Sequence, residues 1–203
     1  MQRKGLYSIL EFSNIYKLIQ SLFFHQESFD VVISFIGDFS NKNILDIGCG
    51  PGDFSKNFSS ARYFGIDISE DYIQSARKNY GNYGKFYCKS VSDLSDISLP
   101  NIDIVIMRGV LHHLSDEEVQ TTLKLLIPIL NSGAKLVSID PVLLKRQNRI
   151  AKIFIKNDRG KCVRTDIGYA NVLKHKSYFL NQSKIINQNF PPYDRFAVEL
   201  KKF

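Results

Sequence analysis

The segment Ile44-Leu45-Asp46-Ile47-Gly48-Cys49-Gly50-Pro51-Gly52-Asp53 restricts this chain more than any other stretch of it. A short β-rich run ends in three glycines at alternate positions, which permits a tight turn and lets a ligand approach the backbone with no Cβ in the way. A helix expected to start near Asp53 aims its N-terminus at the same place. Two common phosphate loops are excluded: the third glycine of GxGxxG would stand at position 53, which is Asp, and no GK[ST] follows. Asp46, two residues ahead of the first glycine, suits an ammonium group or its ordered water better than a pyrophosphate. The ligand is therefore expected to carry a cationic amino-acid end.

Downstream, β-rich runs alternate with stretches of helical period. The strands expected are Asn43 to Ile47, Tyr63 to Ile66, Phe86 to Cys88, Ile102 to Met107 and Lys135 to Asp140. Between the last two, Ser115 with Glu118 three residues on reads as a capping box, and Val119, Leu123, Leu126, Ile127 and Leu130 form an apolar stripe, giving a helix over about 115–130. A second helix is expected after Ser69, with Glu70 and Asp71 in its first turn. Strand–helix repetition of this kind implies a mostly parallel sheet covered on both faces, with the ligand at the carboxyl ends of the strands. Asp67 closes the second strand 19 positions after Gly48, where a carboxylate can accept both hydroxyls of a ribose; the plainer alternative is a helix cap, for which Ser69 is better suited.

These segments resemble the class I S-adenosylmethionine-dependent methyltransferases of the small-molecule type. ILDIGCGPG is similar to the family's first motif, GIDIS to its second, IDIVIMRGVLHHL to its fourth, and LLIPILNSGAKLVSIDP to the helix, turn and fifth strand that follow, together spanning about 43–140. The resemblance implies a Rossmann-like α/β three-layer sandwich, with a seven-stranded, mostly parallel sheet whose last strand is antiparallel and lies in Pro191 to Lys202. It implies S-adenosylmethionine as cofactor and S-adenosylhomocysteine as product. Asp46, Gly48 and Gly50 would hold the methionyl end, Asp67 the ribose and Ile68 one adenine face. The chain at Met107 and Arg108 would close over the methionyl group. The family's acid after the third strand aligns with Ser90, followed by Val91, and the nearest acid is displaced to Asp93.

A sulfonium is already an activated methyl donor, so an acceptor needs alignment and, where its nucleophile must lose a proton, a base. His112 and His113, just past the fourth strand, are the candidates; in such a sequence either equally serves to pack or to bond backbone. The stretch 141–190 reads as a substrate-specificity insert. A helix from about Lys145 would carry Lys145, Arg149, Lys152 and Lys156 on one face and Ile150, Ile153 and Phe154 on another. Arg149, Arg159 and Arg164 are the candidate anion ligands, and Tyr16 and Gln20, in a helical cover over 1–40, are expected to close the pocket from the other side. The whole is expected to form one domain, 1–203, with its last strand in 191–203.

Charge separates the two parts: residues 1–140 hold 13 Lys and Arg against 16 Asp and Glu, and 141–203 hold 14 against 4. The basic third suits an anionic small-molecule acceptor, a membrane surface or nucleic acid, or is simply a solvated face. No apolar run reaches the length of a membrane span and the start lacks a cleavable leader pattern, so a cytoplasmic location is expected. Cys49, Cys88 and Cys162 form no CxxC pair, so neither disulfides nor a metal are expected. Asn189-Phe190-Pro191-Pro192-Tyr193 resembles a nucleobase-amine methylation motif, but stands far from the fourth strand and is interrupted by Phe190. Methylation of a small metabolite is the expected function. RNA or protein methylation and a non-catalytic cofactor-binding scaffold are the alternatives, and the oligomeric state is open.

Overall fold

The computed structural model describes residues 30–156, 160–189 and 192–203. Seven strands, β1 (Asn43–Ile47), β2 (Arg62–Asp67), β3 (Lys85–Cys88), β4 (Ile102–Arg108), β5 (Leu130–Pro141), β6 (Tyr178–Asn189) and β7 (Pro192–Lys202), form one sheet in the order β3-β2-β1-β4-β5-β7-β6. The first five are parallel, and β7 is antiparallel to both β5 and β6. The order reverses at β1, between β2 and β4, where diverging connections open a crevice at the strands' carboxyl ends.

Period-two alternation sorts the central strands between two layers. Ile44 of β1 and Ile104 and Ile106 of β4 face a helix at residues 30–36 (α1) and α2 (Glu70–Tyr80), with Val32, Phe35, Ile73 and Ala76 against them. Leu45, Ile47, Val105 and Met107 face the opposite layer, built by α3 (Asp116–Leu126) and α5 (Asp166–Val172) through Val119, Leu123, Leu126, Tyr169 and Val172. Every residue of β1 is buried, so the run NILDI is apolar on both faces except at Asn43 and Asp46.

Local chemistry sets the helix ends. Ser69 caps α2 by accepting the Tyr72 N–H, and the expected capping box on α3 forms, with Ser115 and Glu118 each taking the other's backbone N–H. The helix expected to reach Leu130 stops at Leu126. Pro128 removes a donor, the chain tightens to a 3₁₀ turn over Ile127–Ile129, and Leu130 already belongs to β5. The element after the glycine loop is likewise a six-residue 3₁₀ helix, Asp53–Phe58, rather than an α-helix. In the insert, α4 (Arg149–Lys156) starts four residues later than expected, because the Asn148 side chain accepts the Ile150 N–H and ends the loop there. β6 occupies the last part of the stretch read as an insert. Its residues YFLNQSKIINQN show no clean alternation, since β6 is an edge strand.

Lys135, within β5, also ties the layers together. Lys135 Nζ donates to the Phe35 and Ile36 carbonyls at the end of α1, 2.9 and 2.6 Å away. It also lies 3.7 Å from the fully buried Glu199, whose other oxygen accepts from Asn181 and Gln182. Tyr16 and Gln20 lie outside the described residues.

Gly65, in the middle of β2, is where the sheet and the glycine loop press closest, since a Cβ there would sit 2.8 Å from both Cys49 Sγ and the Phe86 ring. Gly65→Ala is expected to lower unfolding free energy by about 1–3 kcal/mol, read as a lower urea midpoint. An unchanged midpoint would mean that β2 and the loop separate at no cost.

Candidate functional site

The loop after β1 is held against β2 by backbone bonds: the Gly48 and Cys49 N–H groups both donate to the Ile66 carbonyl, at 2.8 and 3.0 Å. Gly48, Gly50 and Gly52 all have positive φ, 71°, 55° and 81°. A Cβ on Gly48 would strike Val110 and one on Gly52 would strike Ala76 and Phe86, so these two serve the packing of the loop. Gly50 differs, for a Cβ there would meet nothing within 4 Å. That open side of the backbone faces the crevice and is the surface a ligand could lie on.

Beneath the loop, Asp46 is fully buried and accepts a short hydrogen bond from the Tyr63 hydroxyl. Burial pushes its carboxyl up to about 6, against the pull of the nearby Arg108 guanidinium and the Tyr63 bond. Arg108 leaves β4 with its guanidinium 3.6 Å from the centroid of the Phe54 ring. Two buried polar atoms here have no partner among the described residues, Asp46 Oδ1 and Arg108 Nε. A buried acceptor and a buried donor left unsatisfied at the mouth of a crevice are what a zwitterionic ligand end would complete. The same burial pushes the neighbouring Cys49 thiol well up, so it stays protonated and inert.

Asp67 staples the first loop to the second: its two oxygens accept the Gly50 and Ser69 N–H groups, at 3.0 and 2.9 Å, while Ser69 is the residue that caps α2. Ile68 follows with 80% of its surface exposed, a large apolar side chain at the rim of the crevice. The displaced acid has a local cause. Ser90 caps a 3₁₀ helix over Val91–Asp96, and Asp93 accepts both the Ser90 N–H and its hydroxyl, at 3.1 and 2.8 Å. These bonds hold the Asp93 carboxyl below the usual range. Val91 is half-buried against the core.

Other expected residues are placed differently. Met107 is fully buried, with its side chain in the core beneath the sheet. Arg164 is not an anion ligand: its five N–H donors are spent on the Leu111, Leu114 and Cys162 carbonyls and, twice, on Asp116. It clamps the insert to the turn after β4. Arg149 is exposed on α4, and Arg159 lies outside the described residues.

The two histidines separate. His112 is buried, and its backbone N–H and Nδ1 both meet Asp140 Oδ1, at 3.1 and 2.8 Å, while Ser138 donates to the other oxygen of Asp140. Gly160 presses on the imidazole so closely that a Cβ there would lie 1.9 Å from His112 Cδ2. His113 is exposed and its ring lies 4.1 Å from that of His112, centroid to centroid. Tyr63, Ser138, Asp140 and Gly160 are not legible as site residues in the sequence. Asp140 alone carries a signal there, since it closes β5 as Asp67 closes β2, at the same rim of the sheet.

Asp46 gives this site a pH signature. Between 3.8 and about 6 the folded chain holds a proton that the unfolded chain releases. Stability should thus fall as pH rises through that window, by on the order of 3 kcal/mol. Asp46→Asn keeps an acceptor for Tyr63 and is expected to flatten this part of a denaturation profile. A wild-type slope in the variant would assign the titration to another group.

Residues 44–133 match a family model described as a methyltransferase domain. An uncharacterized protein of Methanocaldococcus jannaschii is 33% identical over 79 residues, 36% of this chain and 36% of its own length. Phosphoethanolamine N-methyltransferase 1 of Zea mays is 31% identical over 109 residues, 50% of this chain and 21% of that protein. The chain thus spans about a third or less of these two curated relatives. In fold, it is similar to magnesium protoporphyrin IX methyltransferase of Synechocystis with bound S-adenosylhomocysteine, with a TM-score of 0.68 and 20% identity over 88% of this chain and 84% of that one. The strand order and the glycine loop at the β1 switch point are those of a class I methyltransferase fold, and residues 44–133 match the methyltransferase domain.

Proposed function

We propose that this protein transfers the methyl group of S-adenosylmethionine to a small, anionic acceptor. The observation that carries the cofactor assignment is the pair of buried atoms with no partner among the described residues, Asp46 Oδ1 and Arg108 Nε, beside the open backbone of Gly50. Asp46 would receive the cofactor's ammonium and Arg108 its carboxylate, with Gly48 and Gly50 beneath. Asp67 would bond the ribose through lone pairs not used on Gly50 and Ser69. Ile68 would cover one face of the adenine, with Ser90 and Val91 at its edge and the Met107 backbone beside the methionyl chain. When bound, the cofactor supplies an electrophilic methyl on a sulfonium; the chain's part is to align the acceptor and exclude water.

For the proton the acceptor must lose, His113 is the base we assign. Its ring is exposed at the carboxyl rim and packs, tilted, against His112, which is buried and held on Asp140. An anionic acceptor is supported by the excess of basic residues after position 140, by Arg149 standing exposed on α4 and, by analogy, by the phosphoethanolamine methyltransferase of maize. RNA or protein methylation would draw on the same charge, but no observation favours it over a small molecule.

Titration with S-adenosylhomocysteine is expected to give micromolar affinity, weakened roughly 10- to 100-fold by Asp67→Ala and also reduced by Ile68→Asp, whose side chain makes no bond that the fold needs. No binding by the wild-type chain would overturn the cofactor assignment. With an acceptor found by screening anionic metabolites, His113→Ala is expected to lower kcat by roughly a hundred-fold or more with S-adenosylhomocysteine affinity unchanged; an unchanged kcat would remove His113 as base.

A further inference from the structure

The insert presents a surface that cofactor binding does not use. α4 packs on the core through Ala151 and Ile155, each 1% exposed, and lies against β7. The face read from sequence as its apolar side is not the packed one: Ile150 and Ile153, one turn apart, are 53% and 58% exposed. At about 100° per residue these two share a side of the helix. Arg149 and Lys152 form a ridge between that side and the buried one, and Lys145 and Arg146 extend it into the preceding loop. The four basic side chains are exposed, and none makes a hydrogen bond or ion pair with the described residues. No Asp or Glu occurs between positions 141 and 157. Of the flanking acids, Asp158 lies outside the described residues, and among the described ones Asp140 is spent on His112 and Ser138, and Asp194 on Gln147 and Asn187.

A solvated helix face in a basic protein needs charge but not two isoleucines, and a helix meant for burial needs the isoleucines but not an unneutralised ridge beside them. Both together match the requirements of a membrane interface, where apolar side chains enter the acyl boundary and adjacent lysine and arginine reach anionic headgroups. We propose that α4 and its leading loop dock this protein on an anionic lipid surface, with Ile150 and Ile153 inserted and Lys145, Arg146, Arg149 and Lys152 at headgroup level. The occupant is the bilayer surface rather than nucleic acid, because a polyanion in water gains nothing from the isoleucines. α4 follows β5 directly from the carboxyl rim of the sheet. Docking there brings the crevice near the bilayer, where an acceptor with an anionic head and an apolar tail would be available.

Co-sedimentation of the full chain tests this with vesicles of phosphatidylcholine alone and with about one third phosphatidylglycerol, at about 0.1 M salt. Binding to the anionic vesicles only is expected. It should weaken at least ten-fold, as an order-of-magnitude expectation, in Ile150→Asp/Ile153→Asp and in the variant with all four basic residues changed to Gln. Neither set touches the buried face of α4. Ile150→Ser alone, expected to weaken binding less, keeps the test open should the double variant misfold, as judged by circular dichroism. Absence of vesicle binding by the wild type overturns the proposal, as does binding that survives the isoleucine changes. Retention of single-stranded RNA in place of vesicles would overturn it too and give the ridge to nucleic acid. Affinity for S-adenosylhomocysteine, measured without lipid, is independent of these outcomes and separates failure here from failure of the methyl-transfer reading.

Discussion

The ligand side of this protein depends on how the loop after β1 is pinned to β2. Gly48 and Cys49 hang from one carbonyl, Ile66, and Gly50 from one carboxylate, Asp67. That is three donors fixed within one turn, by partners that are themselves fixed in the sheet or at the cap of α2. The result is a rigid floor of backbone with positive φ at three positions, which only glycine adopts at little cost. Because the floor is stapled from below and behind, its remaining open side is the one at Gly50, and the buried charges Asp46 and Arg108 flank it. A carboxylate pushed toward neutrality and a guanidinium resting on an aromatic ring form a site that lacks its last partners. In a low-dielectric setting such groups discriminate strongly in favour of a ligand bearing the opposite charges.

The cofactor half of the molecule is legible in the sequence because it is made from backbone and from local patterns. Glycines that permit a conformation, an acid at a strand end, and alternating or helical periods all act within a few residues, so β1 to β5, α2 and α3 follow from short stretches of residues. The misses have an equally local account. Pro128 shortens α3, the loop after Gly52 tightens into a 3₁₀ turn, and Asn148 rather than the basic spacing determines where α4 begins. β6 escapes because an edge strand with one neighbour has little need of a regular pattern. The Ser90 departure from the family pattern is visible in the residues, but not its cause, which is a capping box from Ser90 to Asp93 that uses the acid on the loop itself.

The acceptor half is not legible, and its contacts show why. Arg164 joins Leu111, Leu114 and Asp116 across about fifty positions of chain; Gly160 packs on His112 at a similar separation, and His112 meets Asp140 28 residues on. Each role depends on a tertiary neighbour that no period or spacing announces. The Arg164 case shows the risk: a basic side chain in a basic loop reads as an anion ligand, whereas five hydrogen bonds make it a clamp. Residue type narrows the chemistry, and only partner geometry decides whether that chemistry faces inward or toward a ligand.

The same distinction gives weight to the charge that is left over. Arg164 and Lys202 belong to the basic excess yet are consumed by backbone carbonyls and, for Arg164, by Asp116, so they contribute little to the outward field at short range. Lys145, Arg146, Arg149 and Lys152 are not consumed by any of the described residues, and they stand together beside exposed isoleucines on the segment that leaves the carboxyl rim. Net charge of the C-terminal third therefore overstates the basic surface in general and understates its concentration at one place. A +10 imbalance spread evenly would steer any anion weakly; the part of it that is unpaired and joined to an apolar face selects a partner that is anionic and apolar at once, as a lipid surface is.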